Sequence, residues 1–481
     1  MADPVTFIQV KRRKAGYRPV EERIKDYRDV AVMREEPASQ EQASRCASCF
    51  LPFCQWSCPL GNEIPAWNAH LAKGEWEQAF RALQATNNLP EITARVCPAL
   101  CEPACVLDIN WDAVTIRENE LAVVEHAFEH GFVQPRPPSR RTGKTAAIIG
   151  SGPAGLSCAD QLNQAGHHVV VFERDQEIGG LLRCGIPDFK LEKWIIDRRL
   201  KIWKAEGIEF RPGVHVGVAY PVSRLRSTFD AVCLTGGARV SRDLPIPGRQ
   251  LRGVHPALDY LVQSNRRVAG ERTAPAQRID ARGKRVVVIG GGDTGADGVG
   301  TAHRQGASRV IQLELLPKPP EHRGPTDLWP DYPKILRASS SHEEGGRREW
   351  AVQTKAFLGS GGSVTGLSCI RVEWTEPSPK SRPVMREVPG TEFELEADLV
   401  LLALGFVSAE HPPWLTALGV AFDERGHVQT DAQSMTSVPG VFSAGDMRRG
   451  QSLVVHAISE GRRAAHHIDR YLVGHSDLPL L

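Results

Sequence analysis

No run in this chain approaches the roughly 18–20 consecutive apolar residues that a membrane-spanning helix needs, which argues against a helical membrane protein. A charge excess of either sign is also missing. Lys plus Arg number 59 against 57 Asp plus Glu, a net charge of +2, so no dominating electrostatic partner such as nucleic acid is expected. The basic run Lys11–Lys14 reads as a solvated terminus. Met1–Val20 lacks the apolar centre of a secretory signal, so a cytoplasmic chain with reduced thiols is expected. Residues 317–395 carry His322, His342, Glu343 and Glu344 at no metal-binding spacing and read as surface loops and short strands.

What the chain does have is cysteine at its N-terminal end. Of its 11 cysteines, seven fall in two groups, Cys46-x2-Cys49-x4-Cys54-x3-Cys58 and Cys97-x3-Cys101-x3-Cys105. Prolines follow Cys58 and Cys97 directly. A disulfide framework belongs to small secreted domains, not to a chain of 481 residues without a signal. A structural zinc takes four ligands and would leave three cysteines over. Soft thiolates at short spacing with Cys-Pro steps fit iron–sulfur ligation, and their number fits two [4Fe-4S] clusters. In two-cluster patterns the last cysteine of a run often ligates the other cluster. That logic assigns Cys46, Cys49, Cys54 and Cys105 to one cluster, and Cys58, Cys97 and Cys101 to the second. The eighth ligand is then not a cysteine. Glu120, on the helical stretch 114–130, is the candidate, with Glu118 as the alternative.

A length of 481 residues implies two or three domains. Residues 1–135 read as helices broken by the cysteine loops, one of them over Pro65–Gln84 with Trp67, Leu71 and Phe80 at helical spacing. A proline-rich linker at 135–141 follows. Thr145–Ile149 then leads into Gly150-Ser-Gly-Pro-Ala-Gly155, a helix to Ala165, and a strand His168–Phe172 ending at Glu173. Gly150 permits the tight turn, Gly152 lets backbone approach a pyrophosphate, and Gly155 lets the helix pack on the strand. Pyrophosphate charge is met by the free N–H groups at the helix N-terminus, and Glu173 accepts the ribose hydroxyls. The pattern recurs as strand Arg285–Ile289, loop Gly290-Gly-Gly292-Asp-Thr-Gly295, helix Ala296–Gln305 and strand Val310–Leu316 carrying Glu314. Two such units imply two dinucleotides. The turn Gly440–Asp446 before a final helix Val454–Tyr471 suits a carboxylate set against a flavin ribityl chain.

Together these motifs resemble the small (beta) subunits of bacterial glutamate synthases along nearly the whole chain. The most specific matches are Arg45-Cys-Ala-Ser-Cys49, Pro52-Phe-Cys54, Gln84-Ala-Thr-Asn-Asn88, Pro90-Glu-Ile92, Gly179-Gly-Leu-Leu182, Gly185-Ile-Pro187, Gly290-Gly-Gly-Asp-Thr294 and Ala444-Gly-Asp446. The resemblance implies an α/β protein: an N-terminal all-helical iron–sulfur domain (1–140), then two Rossmann-like nucleotide-binding domains of glutathione-reductase type. FAD would take 141–258 and a return segment 425–481, and NAD(P)H would take 259–424. It carries FAD roles over to Gly150, Gly152, Gly155, Glu173, Gly180, Leu181 and Asp446. Nicotinamide roles go to Gly290, Gly292, Asp293, Thr294 and Gly295. The related N-terminal region of dihydropyrimidine dehydrogenase has a non-cysteine eighth cluster ligand near the position of Glu120. The implied activity is oxidation of NAD(P)H at FAD, with electrons relayed through the clusters to a large (alpha) subunit that makes glutamate from glutamine and 2-oxoglutarate.

Two positions depart from the family pattern. His456 stands where a tryptophan is expected, and Leu313-Glu-Leu-Leu-Pro317 lacks the paired arginines of NADPH-type members. With Glu314 placed to repel a 2′-phosphate, NADH is the expected reductant, unless Arg309, Lys318 or Arg323 swings in to bind that phosphate. A ferredoxin–NAD(P)H oxidoreductase or bifurcating transhydrogenase subunit shares the architecture and is the alternative. A flavin disulfide reductase needs a redox cysteine pair, whereas Cys158, Cys184, Cys233 and Cys369 stand alone in the sequence. Hydride transfer needs placement rather than proton transfer, so no acid–base residue is nominated.

Overall fold

The computed structural model describes residues 5–375 and 383–480. The N-terminal part is helical, with helices Glu36–Ala43, Ile64–Ala72, Trp76–Thr86, Pro90–Val96 and Ile116–Glu129 around a core that includes Trp67, Leu71, Phe80 and Val123. The single helix expected over 65–84 is two helices. Gly74 between them has a φ of +75°, a left-handed conformation that glycine adopts without strain and that ends the first helix.

Two parallel five-stranded sheets follow. The first runs Val441–Ser443, Ala231–Leu234, Thr145–Ile149, His168–Phe172, Glu209–Arg211. The second runs Val254–Pro256, Leu399–Leu402, Arg285–Ile289, Arg309–Leu313, Arg347–Glu349. Their inner strands are short apolar runs buried on both faces, as parallel strands covered by helices must be, while the edge strands Glu209–Arg211 and Arg347–Glu349 are charged and partly exposed. Glu314 lies one residue past its strand, which ends at Leu313 rather than Leu316.

Each sheet is closed at one edge by a strand from beyond its own glycine-loop unit, Val441–Ser443 in the first and Val254–Pro256 in the second. The chain crosses between the units through an antiparallel ribbon, Val240–Ser241 against Phe406–Ser408. The crossings therefore fall earlier than the expected boundaries at 258 and 424. Val254 already belongs to the second sheet, while Ala409, Leu415 and Val420 pack into the core of the first unit. Residues 317–395 are also more ordered than expected. Among their described residues, Val352–Ser360 pairs with a 13-residue strand, Ser363–Thr375, in an antiparallel meander. Its alternation of buried and exposed positions is interrupted by register shifts near Thr354 and Leu358, which blurs the pattern in the sequence.

The helical part is tied to both units by buried polar contacts. Arg199 of the first unit makes a bidentate pair with Glu91 (2.7 and 2.9 Å), and Arg462 donates to Asn88 (2.6 Å). Arg23 and Arg304 converge on the buried Glu344 of the second unit.

Candidate functional site

The seven N-terminal thiols fall into two spatial sets. Cys46, Cys49, Cys54 and Cys105 line one small cavity together with Phe53, Ile64 and Leu107. Cys58, Cys97 and Cys101 are electrostatic neighbours of one another, and each also feels Glu120. Neither Cys46 nor Cys54 has Glu120 among its main neighbours; Cys46 has Cys49 and Cys105, and Cys54 has Cys46, Cys49 and Cys105. Burial pushes Cys46 and Cys97 up to about 12 and Cys58 up to about 11. Thiols held this way are protonated at neutral pH and poor nucleophiles, whereas a thiophilic metal would displace their protons.

Glu118 and Glu120 part company. Glu118 pairs with Arg34 and accepts the Ala15 N–H at 2.9 Å, which commits it to the N-terminal segment. Glu120 is buried, and burial raises its carboxyl to about 7. Its Oε1 accepts from Thr93 Oγ1 (2.6 Å) and Asn87 Nδ2 (3.0 Å). Both bonds use the same oxygen, so Oε2 remains available as a donor beside three thiols. The set of three soft sulfurs and one carboxylate oxygen fits an iron–sulfur cluster with a single hard ligand.

In the first glycine loop, a Cβ on Gly150 would lie 2.5 Å from the Thr235 carbonyl oxygen, and one on Gly155 would drive into the Gly150 carbonyl. Gly152 faces open space, as the position that admits a pyrophosphate must. Glu173 is held by Ser151, whose N–H (3.0 Å) and hydroxyl (2.6 Å) both donate to its Oε2. Gly180, at φ +53°, packs its Cα face on Gly152. The pocket lined by Gly150, Gly152, Glu173 and Gly180 ends at Leu181 and Asp446, and Asp446 accepts the Ser452 hydroxyl at 2.7 Å. These features fit an extended dinucleotide whose far end reaches Asp446, as FAD requires.

The second loop repeats the arrangement. Gly290 has a φ of +118°, Gly292 caps the helix Asp293–Arg304, and a Cβ on Gly295 would meet the Gly290 carbonyl. Gly291 leaves room for the Glu314 carboxyl, which lies over the loop, so a methyl there would push that flexible side chain aside. Glu314 pairs with Arg348 at 3.1 Å. Of the cations considered from sequence, Arg309 sits at the other end of its strand against Glu396, Arg323 bonds Pro103 and Asp331, and Lys318 lies over Trp350. Arg348 is the cation that meets Glu314, and it is brought there by the neighbouring strand.

One cleft of about 1820 Å³ joins these parts, larger than a single small-molecule pocket of roughly 300–1,000 Å³. Gly290–Thr294 and Glu314 line it on one side, Leu181, Asp446 and His456 on another, and Cys97 and Pro98 on a third.

Residues 23–132 match the family model for dihydropyrimidine dehydrogenase domain II, 4Fe-4S cluster, and residues 144–325 and 371–461 match that for pyridine nucleotide-disulphide oxidoreductases. The chain is 53% identical to the glutamate synthase [NADPH] small chain of Mycobacterium tuberculosis, over 100% of this chain and 98% of that one. It belongs to the glutamate synthase small-chain family. The Bacillus subtilis glutamate synthase [NADPH] small chain is 44% identical with both chains fully covered. The glutamate synthase [NADH] of Schizosaccharomyces pombe is also 44% identical, over 98% of this chain but 23% of that much longer one. Mycobacterium tuberculosis FprA in complex with NADPH shares the reductase fold, with a TM-score of 0.56 at 20% identity over 69% of this chain and 85% of FprA.

As a glutamate synthase small chain, the protein is an NAD(P)H-dependent oxidoreductase with FAD and iron–sulfur sites. Among the described residues no helix is long and apolar enough to cross a membrane. One expectation about the remaining cysteines needs correction. Cys158 and Cys233 do not stand alone: their buried thiols are neighbours in the core of the first unit. Cys158 on the helix Pro153–Gln164 and Cys233 on the strand Ala231–Leu234 do not line the pocket at the first glycine loop, so they supply no redox pair to it. Sequence reasoning missed Gly291 and Arg348. Gly291 was visible as the middle of a glycine triplet, but Arg348 has no local signal, being 34 residues from its partner.

Proposed function

We propose that this small chain oxidises NADH at FAD and passes the electrons through two [4Fe-4S] clusters to a large glutamate synthase chain, in the cytoplasm. The reading rests on one observation: a single cleft is lined by the Gly290–Thr294 loop, by Asp446 at the end of the flavin pocket, and by Cys97. Bound FAD supplies the exchange between two-electron and one-electron chemistry, and bound clusters carry single electrons. The chain's own residues bind and orient. The helices starting at Pro153 and Asp293 offer free N–H groups to pyrophosphates, Glu173 and Glu314 face adenosine riboses, and Asp446 meets the flavin side. Cys58 and Cys97 pack against the core of the first unit, so their set is on the flavin side. Cys46 and Cys105 belong to the helical core, and the exposed Phe50 and Leu51, with Trp56 at the end of the short helix Phe53–Trp56, lie on the adjoining segment. That face suits delivery to the large chain, and the Schizosaccharomyces pombe relative is long enough to hold a partner in the same polypeptide.

The test is reconstitution with the large chain. Glutamate formation from glutamine and 2-oxoglutarate should depend on both chains, and iron contributed by this one should approach eight per chain, two clusters of four. A flavoprotein that reduces dyes but never supports glutamate formation would favour the ferredoxin–NAD(P)H oxidoreductase reading.

The choice of NADH rests on Glu314. A 2′-phosphate about 4 Å from that carboxylate meets a repulsion of roughly 1–4 kcal/mol, which is about fivefold to several hundredfold in kcat/KM. Arg348 opposes this, since it could turn from Glu314 to a phosphate, and it is the observation that favours NADPH. NADH should give the higher kcat/KM, Glu314→Ala should narrow the gap, and Arg348→Ala should widen it. A higher kcat/KM for NADPH in the unmodified chain would overturn the choice.

A further inference from the structure

Glu36, His126 and His130 bring three donor atoms within 4.8 Å of one another, separate from both cysteine sets. The two histidines are one helical turn apart at the end of Ile116–Glu129, and Glu36 opens the helix Glu36–Ala43. His126 Nε2 lies 3.3 Å from a Glu36 carboxylate oxygen. The His126 ring is clamped: Trp76 stacks on one side at 4.1 Å and 7°, and His130 on the other at 3.8 Å and 12°.

The tautomer of His130 follows from its partner. Its Nδ1 is 3.0 Å from the His126 carbonyl oxygen, which can only accept, so Nδ1 carries the proton and Nε2 of the neutral ring has a free lone pair. A backbone carbonyl holding the second nitrogen is also the usual support of a metal-bound imidazole. The place favours a cation further. It lies at a helix C-terminus, where the carbonyl ends carry negative charge, and Glu129 is close enough to act on His126.

We infer that Glu36, His126 and His130 form a divalent transition-metal site of the zinc class. Two imidazole nitrogens and one carboxylate oxygen are the donor set of a three-ligand zinc site, with a fourth position open to solvent or an added ligand. The ion would clip the helix Glu36–Ala43 to the helix that carries Glu120, joining two elements otherwise held by packing.

The test uses full-length, untagged, cluster-loaded flavoprotein, with iron assayed before and after so that zinc entering a cysteine site is scored separately. Calorimetric titration with Zn²⁺ should show one ion per chain at constant iron. His130→Ala should weaken it by on the order of tenfold or more, and Glu36→Gln by less. NAD(P)H-dependent dye reduction should be unchanged in His130→Ala, an exposed residue outside the cleft. Should His126→Ala fold poorly through its contact with Trp76, His130→Ala decides alone. Unchanged zinc affinity in His130→Ala, or no zinc bound at constant iron, overturns the site and leaves an ordinary His–Glu contact.

Discussion

Alanine at Cys97 and alanine at Cys49 are each expected to cut glutamate formation by the two-chain enzyme by on the order of 100-fold or more, because a missing carrier cannot be bypassed by side chains. Dye reduction by NAD(P)H should survive in both, since neither residue touches the glycine loops. The two variants should differ in what they lose. Cys49 shares a cavity with Cys46, Cys54 and Cys105, while Cys97 neighbours Cys58, Cys101 and Glu120. Each variant should keep about half the iron, with a different signal absent from the EPR spectrum of the reduced protein. Glu120→Ala should alter the signal that Cys97→Ala removes, and Glu118→Ala should leave both. Loss of the same signal from Cys49→Ala and Cys97→Ala would refute the two-set assignment.

Removing Glu91 should be the most destabilising single change among the contacts between the helical part and the first unit. Glu91 and Arg199 are both almost fully buried and joined by two hydrogen bonds. Glu91→Ala leaves a guanidinium buried without its partner, at a cost of about 3–5 kcal/mol. The urea midpoint, followed by tryptophan emission, should fall accordingly. The paired replacement Glu91→Leu with Arg199→Met should recover much of the loss, since apolar groups of similar size need no charge partner. A loss below about 1 kcal/mol in Glu91→Ala, typical of an exposed pair, would show that water reaches the site.

The glycine loops were legible because their requirements are local. Gly150 and Gly290 take positive φ (+110° and +118°), and a side chain on Gly155 or Gly295 would strike the carbonyl of the loop's own first glycine, so the motif itself states the backbone geometry. The ends of the helical elements were less legible. Gly74 splits an apolar pattern that runs on at helical spacing through Trp67, Leu71 and Phe80, and the pattern records the shared core rather than the break. Domain crossings were misjudged for a related reason. Val254–Pro256 is a short apolar strand that could extend either sheet, and only its pairing with Leu399–Leu402 assigns it.

By itself, then, the sequence determined the chemistry on offer: thiols in number for iron–sulfur ligation, two dinucleotide loops, and no membrane-spanning run. It could not decide which distant groups meet. Cys105 joins Cys46 across 59 positions, and Arg348 reaches Glu314 from the next strand. Glu118 and Glu120 show the reason most plainly. At 3.6 residues per turn, side chains two apart on a helix point about 200° away from each other, so one can face the thiols only if the other faces away. Both sit in the same local sequence with the same carboxylate, and nothing local fixes the rotation of the helix. The packing of Leu121, Val123 and Val124 into the surrounding core sets that rotation, turning Glu120 inward to Thr93 and Asn87 and Glu118 outward to Arg34.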